Sequence, residues 1–187
     1  MDSRILNVNP LIAVFDGVFG QEVADAAIAA GQDRLEQPSY GTKDGRVVGE
    51  KHTNQAALVD QWSDPVLTQL MTDISAIVRI PPEHGESSDL FHRGGQRLFT
   101  TLCYLNDVEE EGQTAFPNLM VAVRPKLGRV LVMQNTLPGQ NITHPDSAHV
   151  GFGPGAGEKW VLSVWWREHH FHIPRSYPAA EGDFLVY

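Results

Sequence analysis

Short runs in which apolar and polar positions alternate dominate the second half of the chain: RLFTTLCYL (97–105), LMVAV (119–123), RVLVM (129–133) and KWVLSVWW (159–166). They are separated by Asn106-Asp107, by Pro125-Lys126-Leu127-Gly128 and by a glycine-rich stretch from Gly151 to Gly157. A period of two broken by turn residues predicts antiparallel strands in a sandwich or barrel. Thr114, Phe116 and Pro117 open one further strand and read as structural. In the last long strand the alternation puts Lys159, Val161, Ser163 and Trp165 on one face and Trp160, Leu162, Val164 and Trp166 on the other.

The first half follows a different rhythm. Residues 5–19 are apolar but carry Pro10 and Gly17, which predicts one short strand. From Gly20, an alanine-rich stretch with Val23, Ala27, Ile28 and Leu35 at helical spacing predicts a helix, with Glu22 and Asp25 near its positive end. Residues 37–55 read as loop around one edge strand. A second helix is signalled more strongly. Ser63-Asp64-Pro65 supplies a cap and an N1 proline, and Val66, Leu67, Leu70, Met71, Ile74, Ile77 and Val78 repeat every three to four residues until Pro81-Pro82. This stripe is a core-packing face.

Composition narrows the class. The 187 residues, 42% hydrophobic and 20% charged, suit one domain over 1–187, with a helical support in 1–80 and a barrel core in 94–167. A net charge of −9 without any run of Lys or Arg argues against nucleic acid and anionic membrane as partners, and is compatible with a basic protein substrate. The single cysteine, Cys103, excludes an intrachain disulfide framework and reads as a buried small hydrophobe. No apolar stretch nears the roughly 20 residues of a membrane span. The N-terminus has no charged region followed by an apolar signal core. The expected location is a reducing compartment, the cytoplasm; oligomeric state is left open.

Five blocks in order carry a resemblance. They are GGQR at 94–97, YLNDVEEEGQTAFP at 104–117, VRPKLGRVLVM at 123–133, HPDSAHVG at 144–151 and GEKWVLSVWWRE at 157–168. This set resembles the Fe(II)- and 2-oxoglutarate-dependent dioxygenases of the prolyl 4-hydroxylase type. The resemblance implies a double-stranded β-helix, a jelly roll of the cupin kind, with helices packed on one sheet. It also implies an enzyme that hydroxylates a C–H bond, prolyl in a peptide or protein, while 2-oxoglutarate is decarboxylated to succinate. Fe(II) and 2-oxoglutarate are the implied cofactors, with ascorbate as a further one.

The resemblance also assigns residues. His149 matches the distal iron ligand, and a neutral imidazole suits Fe(II), which is held in such sites by two histidines and one carboxylate. Lys159 matches the cation that meets the distal carboxylate of 2-oxoglutarate. A lysine heading so apolar a strand is costly unless an anion joins it. Tyr104 matches a tyrosine that assists at the same carboxylate. Thr100 and Leu102 share its strand face, and Ser163 and Trp165 share that of Lys159, so all four line the expected cosubstrate pocket. The acidic loop from Asp107 to Glu111 lies near the expected mouth.

One block is absent. Between PPEHGE (81–86) and DLFHRGGQR (89–97) the family carries a strand with a His-x-Asp pair, and that pair is taken as missing from the chain. Candidate replacements are His84 with Glu86, and more remotely His92 before Arg93-Gly94. The gap keeps a second reading open, a non-catalytic binding barrel or truncated pseudo-enzyme that retains the 2-oxoglutarate pocket. A third reading is a cupin-like Zn(II) site joining His149 to the tail histidines His169, His170 and His172, against which a solvated turn is the plainer account of that cluster.

Overall fold

The computed structural model describes residues 1–37, 54–85, 95–137, 140 and 142–169, together with the backbone of 39–42, 45–48 and 86. Two strands come first, β1 (Asp2–Val8) and β2 (Leu11–Asp16), antiparallel across the turn at Asn9-Pro10. The single strand expected over 5–19 is thus a hairpin, because the proline breaks the run at its middle rather than at its edge. Helix α1 (Gln21–Gly31) follows and ends in a 3-10 turn, Gln32–Arg34, so Leu35 falls outside it. The expected loop over 37–55 holds a two-stranded ribbon, β3 (Ser39–Thr42) and β4 (Gly45–Val48).

Helix α2 (Pro65–Val78) lies where its signals put it. The Asp64 carboxylate accepts hydrogen bonds from the amides of Val66 (2.7 Å) and Leu67 (3.3 Å), satisfying two donors that the first turn leaves free. Leu67, Leu70, Met71 and Ile74 are its buried stripe. A short 3-10 turn, Pro82–His84, leads into the two-residue strand β5 (Gly85–Glu86).

The remaining strands are β6 (Arg97–Tyr104), β7 (Thr114–Phe116), β8 (Val121–Val123), β9 (Arg129–Gln134), β10 (Val150–Gly151) and β11 (Val161–Arg167). They form a six-stranded sheet ordered β1-β2-β9-β6-β11-β5 and a three-stranded sheet ordered β10-β7-β8. The N-terminal segment therefore contributes strands to the large sheet as well as helices to its back.

Alternation decides which side chain serves which layer. Cys103, Leu105, Val130, Val132, Val164 and Trp166 pack on Ala24, Ala27, Leu67, Leu70, Met71 and Ile74 of the helices. Their alternates Tyr104, Leu131 and Met133, with Ile12 and Val14 of β2, meet Phe116 and Val123 of the small sheet. From β6 onward the chain passes to the small sheet for β7 and β8, back to the large one for β9, across to β10 and back for β11, with helices behind the large sheet, which is the expected jelly roll. The two central strands are buried on both faces, so RVLVM reads as an almost unbroken apolar run. No helix among the described residues is long and apolar enough to cross a membrane.

Candidate active site: a lysine and a histidine between two sheets

Lys159 lies two residues before β11, where the chain still pairs with the end of β6 through the Leu105 amide and the Trp160 carbonyl (3.0 Å). Its ammonium donates to the Phe152 carbonyl at 3.1 Å. A Cβ at Gly151 would lie 3.8 Å from the same nitrogen. The lysine of the large sheet thus reaches the β10 strand of the small one. Burial pushes its pKa below the ordinary value for lysine, so the amine is short of water, and no carboxylate among the described residues compensates it.

His149 sits one residue before β10. Its ring lies 5.8 Å from that of the buried Phe116, centroid to centroid, while the residue itself stays exposed. Nδ1 is 2.9 Å from the Ser147 carbonyl oxygen. A carbonyl only accepts, so Nδ1 carries the proton and Nε2 presents its lone pair, the tautomer a metal requires.

The expected pocket residues occupy one face of the sheet. Val161 belongs to the inner cluster, whereas Leu162, Val164 and Trp166 pack toward the helices. Ser163, on the inner face, is exposed although it lies in mid-strand. Trp165 is half-buried, with the Arg97 guanidinium carbon 3.9 Å from its ring centre. Tyr104 is fully buried and donates its hydroxyl proton to Thr114 Oγ1 at 2.8 Å. Burial raises its pKa to about 12, so it acts as a neutral hydrogen-bonding group. Thr100 is buried and donates to Asn135 Oδ1 at 2.8 Å. Nothing in the sequence signalled Thr114 and Asn135 as partners; both lie opposite their partners only once the strands are paired. Cys103 is buried on the helix side and its thiol is pushed up to about 12, an inert packing group as expected.

The metal candidates fare differently. Glu86 pairs with Trp165 and Gly85 with Trp166, so His84 and Glu86 lie at the far edge of the large sheet, beyond β11. His84 Nδ1 is 3.1 Å from the Arg167 carbonyl. His149, by contrast, stands beside the small sheet. His92, Arg93, Gly94, His170 and His172 lie outside the described residues. The chain does contain a His-x-Asp triplet, His144-Pro145-Asp146, which corrects the reading that the pair is missing. It is not at the expected place and its chemistry is occupied. His144 is buried, its Nε2 lies 3.2 Å from Asn9 Oδ1, and its Nδ1 accepts from the Asp146 amide at 3.2 Å. Both ring nitrogens are thus engaged, Nδ1 in capping a 3-10 turn and Nε2 with Asn9. Among the described residues no three His, Cys, Asp or Glu side chains come together as a metal site. Beside Lys159 they supply one imidazole, that of His149, and a single ligand does not fit an iron centre.

No family model matches the chain. It is 42% identical to a putative prolyl 4-hydroxylase of Acanthamoeba polyphaga mimivirus over 86 residues, 46% of this chain and 36% of that protein. It is 24% identical to the probable prolyl 4-hydroxylase 10 of Arabidopsis thaliana over 212 positions, covering 91% of this chain and 73% of that one. Those positions outnumber the residues of this chain, so part of that relative has no counterpart here. The fold matches the viral collagen prolyl hydroxylase of Paramecium Bursaria Chlorella virus-1 in complex with 2OG, with a TM-score of 0.54 at 19% identity over 83% of this chain and 94% of that one. It also matches a Pseudomonas putida prolyl-4-hydroxylase, with a TM-score of 0.51 at 16% identity over 84% and 92% of the two chains. The resemblance read from the five blocks holds: the chain is similar to prolyl 4-hydroxylases in sequence and shares the fold of two of them.

Proposed function

We propose that this chain is a 2-oxoglutarate-dependent prolyl 4-hydroxylase-like dioxygenase domain acting on a proline of a peptide or protein. The observation that carries the reading is Lys159. It is a half-buried ammonium, short of solvent, that faces β10 from the open inner side of the large sheet. A dicarboxylate there gives the amine a charged partner, and Thr100, Tyr104, Ser163 and Trp165 are the side chains on the same inner face. Lys159 holds and orients the distal carboxylate. The neutral Tyr104 hydroxyl stays in its bond to Thr114 and walls the pocket without adding charge.

The oxidative half of such a reaction belongs to Fe(II), which activates dioxygen when bound, with ascorbate keeping it reduced. This chain's part is His149 Nε2, and its ligand set is incomplete among the described residues. That incompleteness favours a second reading, a barrel that binds 2-oxoglutarate or a related dicarboxylate without oxidising anything.

One experiment separates the two. Succinate formed from 2-oxoglutarate with Fe(II) and ascorbate is measured for wild type, His149→Ala and Lys159→Ala. Turnover in wild type that both substitutions abolish supports the dioxygenase. Lys159-dependent binding of 2-oxoglutarate without succinate supports the binding barrel. Absence of both turnover and binding overturns both and leaves only the fold.

A further inference from the structure

Strand β6 ends at Tyr104 opposite Val161 of β11, so the next residues in register are Leu105 and Trp160. A hydrogen-bonded antiparallel pair exchanges two backbone bonds. Here one is made, from the Leu105 amide to the Trp160 carbonyl at 3.0 Å. The Trp160 amide turns instead to Asn106 Oδ1 at 2.8 Å, and Asn106 Nδ2 donates to the Glu158 carbonyl at 2.8 Å. Those two groups belong to the peptide bonds on either side of Lys159. Asn106 Nδ2 also donates to the Asp107 carbonyl at 3.0 Å. A backbone amide only donates and a carbonyl only accepts, so these partners fix the orientation of the Asn106 side chain.

We infer that Asn106 is a positioning residue of the 2-oxoglutarate site: it clamps both peptide groups of Lys159 so that the ammonium crosses to β10, where it meets the distal carboxylate. The inference rests on the reading of Lys159 as the anion's partner. Asn106 itself touches no ligand. It projects from a fixed stretch, since Leu105 and Val108 are buried and the Asp107 carboxylate accepts from the Leu127 amide at 2.9 Å. The stretch it holds has little preference of its own. Lys159 follows Gly151–Gly157, a run with four glycines, and glycine leaves the backbone free to take many courses. The Asn106 amide is what sets the course at Lys159.

The same geometry disposes of the carboxylate next to Lys159 in the chain. Glu158 accepts from the Trp160 indole at 2.8 Å, and alternation puts both on the face opposite Lys159. The ammonium is therefore left for an incoming anion. Holding it in place before the anion arrives spares binding the cost of ordering a long side chain and its stem. Aspartate at 106 could not do the same, because both its oxygens accept and the Glu158 carbonyl needs a donor. Serine is too short to bridge both peptide groups.

The test is iron-free titration calorimetry of 2-oxoglutarate on the full chain, for wild type, Asn106→Ala, Lys159→Met and the double variant. Asn106→Ala is expected to weaken binding about tenfold. Added to Lys159→Met it should cost less than about twofold more, because nothing remains to be positioned. Asp64→Ala, which loosens α2 away from the site, should lower Tm and leave the affinity unchanged, separating positioning from stability. The free protein gives a second readout. Burial alone depresses the Lys159 amine, and its titration, followed by NMR of the 13C-labelled ε-carbon, should move up toward 10.5 in Asn106→Ala. If Asn106→Ala does not fold, Asn106→Ser is expected to shift both readouts the same way. Wild-type affinity in Asn106→Ala, a full multiplication of the two losses in the double variant, or an unmoved titration overturns the clamp. A moved titration in a protein that binds no 2-oxoglutarate upholds the clamp and sinks the anion reading, so the two fail separately.

Discussion

Replacing Lys159 by methionine keeps the length and the apolar stem of the side chain and deletes only the charge. In the native protein the ammonium meets the Phe152 carbonyl and is half removed from water. A carboxylate about 4 Å away is worth about 4 kcal/mol to it at the effective dielectric of a protein surface and about 1 kcal/mol in bulk water. A half-buried amine lies between these limits, and about 2–3 kcal/mol corresponds to a loss of about 30- to 150-fold in affinity. Titration calorimetry of 2-oxoglutarate, without iron, measures it directly. The pH dependence supplies an independent sign. Burial depresses the amine's pKa from 10.5 in the free protein, so affinity for the dianion is full at neutral pH and falls as pH rises through that lowered value. Binding itself raises the pKa again, so complex formation near the midpoint takes up protons, seen as a dependence of the heat on buffer ionisation. An affinity for Lys159→Met within threefold of wild type would refute the assignment of this lysine as the anion's partner.

Other expectations concern the scaffold. Asp16 accepts from Arg129 Nε (2.6 Å) and Nη2 (2.9 Å), tying the end of β2 to the start of β9, and this bonding holds its pKa below the ordinary 3.8. Its contribution is present above that value and lost as pH falls through the lowered one, so Asp16→Asn should cost about 1–2 kcal/mol at pH 7 and progressively less below pH 4, read from denaturant midpoints. Asp64→Ala removes the cap of α2 and is expected to cost about 1 kcal/mol, a fall of about 2–4 °C in Tm. Gly128 has φ +73°, and a Cβ there would lie 2.2 Å from the Phe19 carbonyl oxygen. Gly128→Ala should therefore lose about 3 kcal/mol or fail to fold, because the obstacle is backbone. Chelation by EDTA should shift Tm by less than about 1 °C, since the described strands and helices are held by apolar clusters and not by metal ligands; a drop of several degrees would show a structural metal.

Much of the fold was legible because the relevant signals are local. The α2 cap and stripe are written within sixteen consecutive residues, and the assignment of Trp160, Leu162, Val164 and Trp166 to one face needs only a period of two. The N-terminal hairpin was not legible at that level. Leu11–Asp16 is apolar on both sides because it is a strand inside the large sheet, paired to β9 over a hundred residues away. Without that partner in view, a proline between two apolar runs looks like the end of one strand as easily as the turn between two.

The site divides along the same line. Lys159 and His149 were marked by their sequence blocks, and pairing brings Lys159 against β10, the strand that His149 immediately precedes. The remaining metal ligands depend on a different strand, and residue type and spacing do not place them, for one physical reason. His84 and Glu86 have suitable donor atoms, but β5 adds to the edge of the large sheet and leaves them beyond β11. His144 and Asp146 have the expected spacing, but their donors cap a turn and bind Asn9 and Asn118. A ligand is defined by the direction of a lone pair and by what else that lone pair meets, and neither is carried by residue type and spacing. His84 and His149 each have Nδ1 fixed by a backbone carbonyl, of Arg167 and of Ser147, so what separates them is place: His149 stands beside Phe116 of the small sheet, facing Lys159 of the large one, whereas His84 lies at the far edge beyond β11.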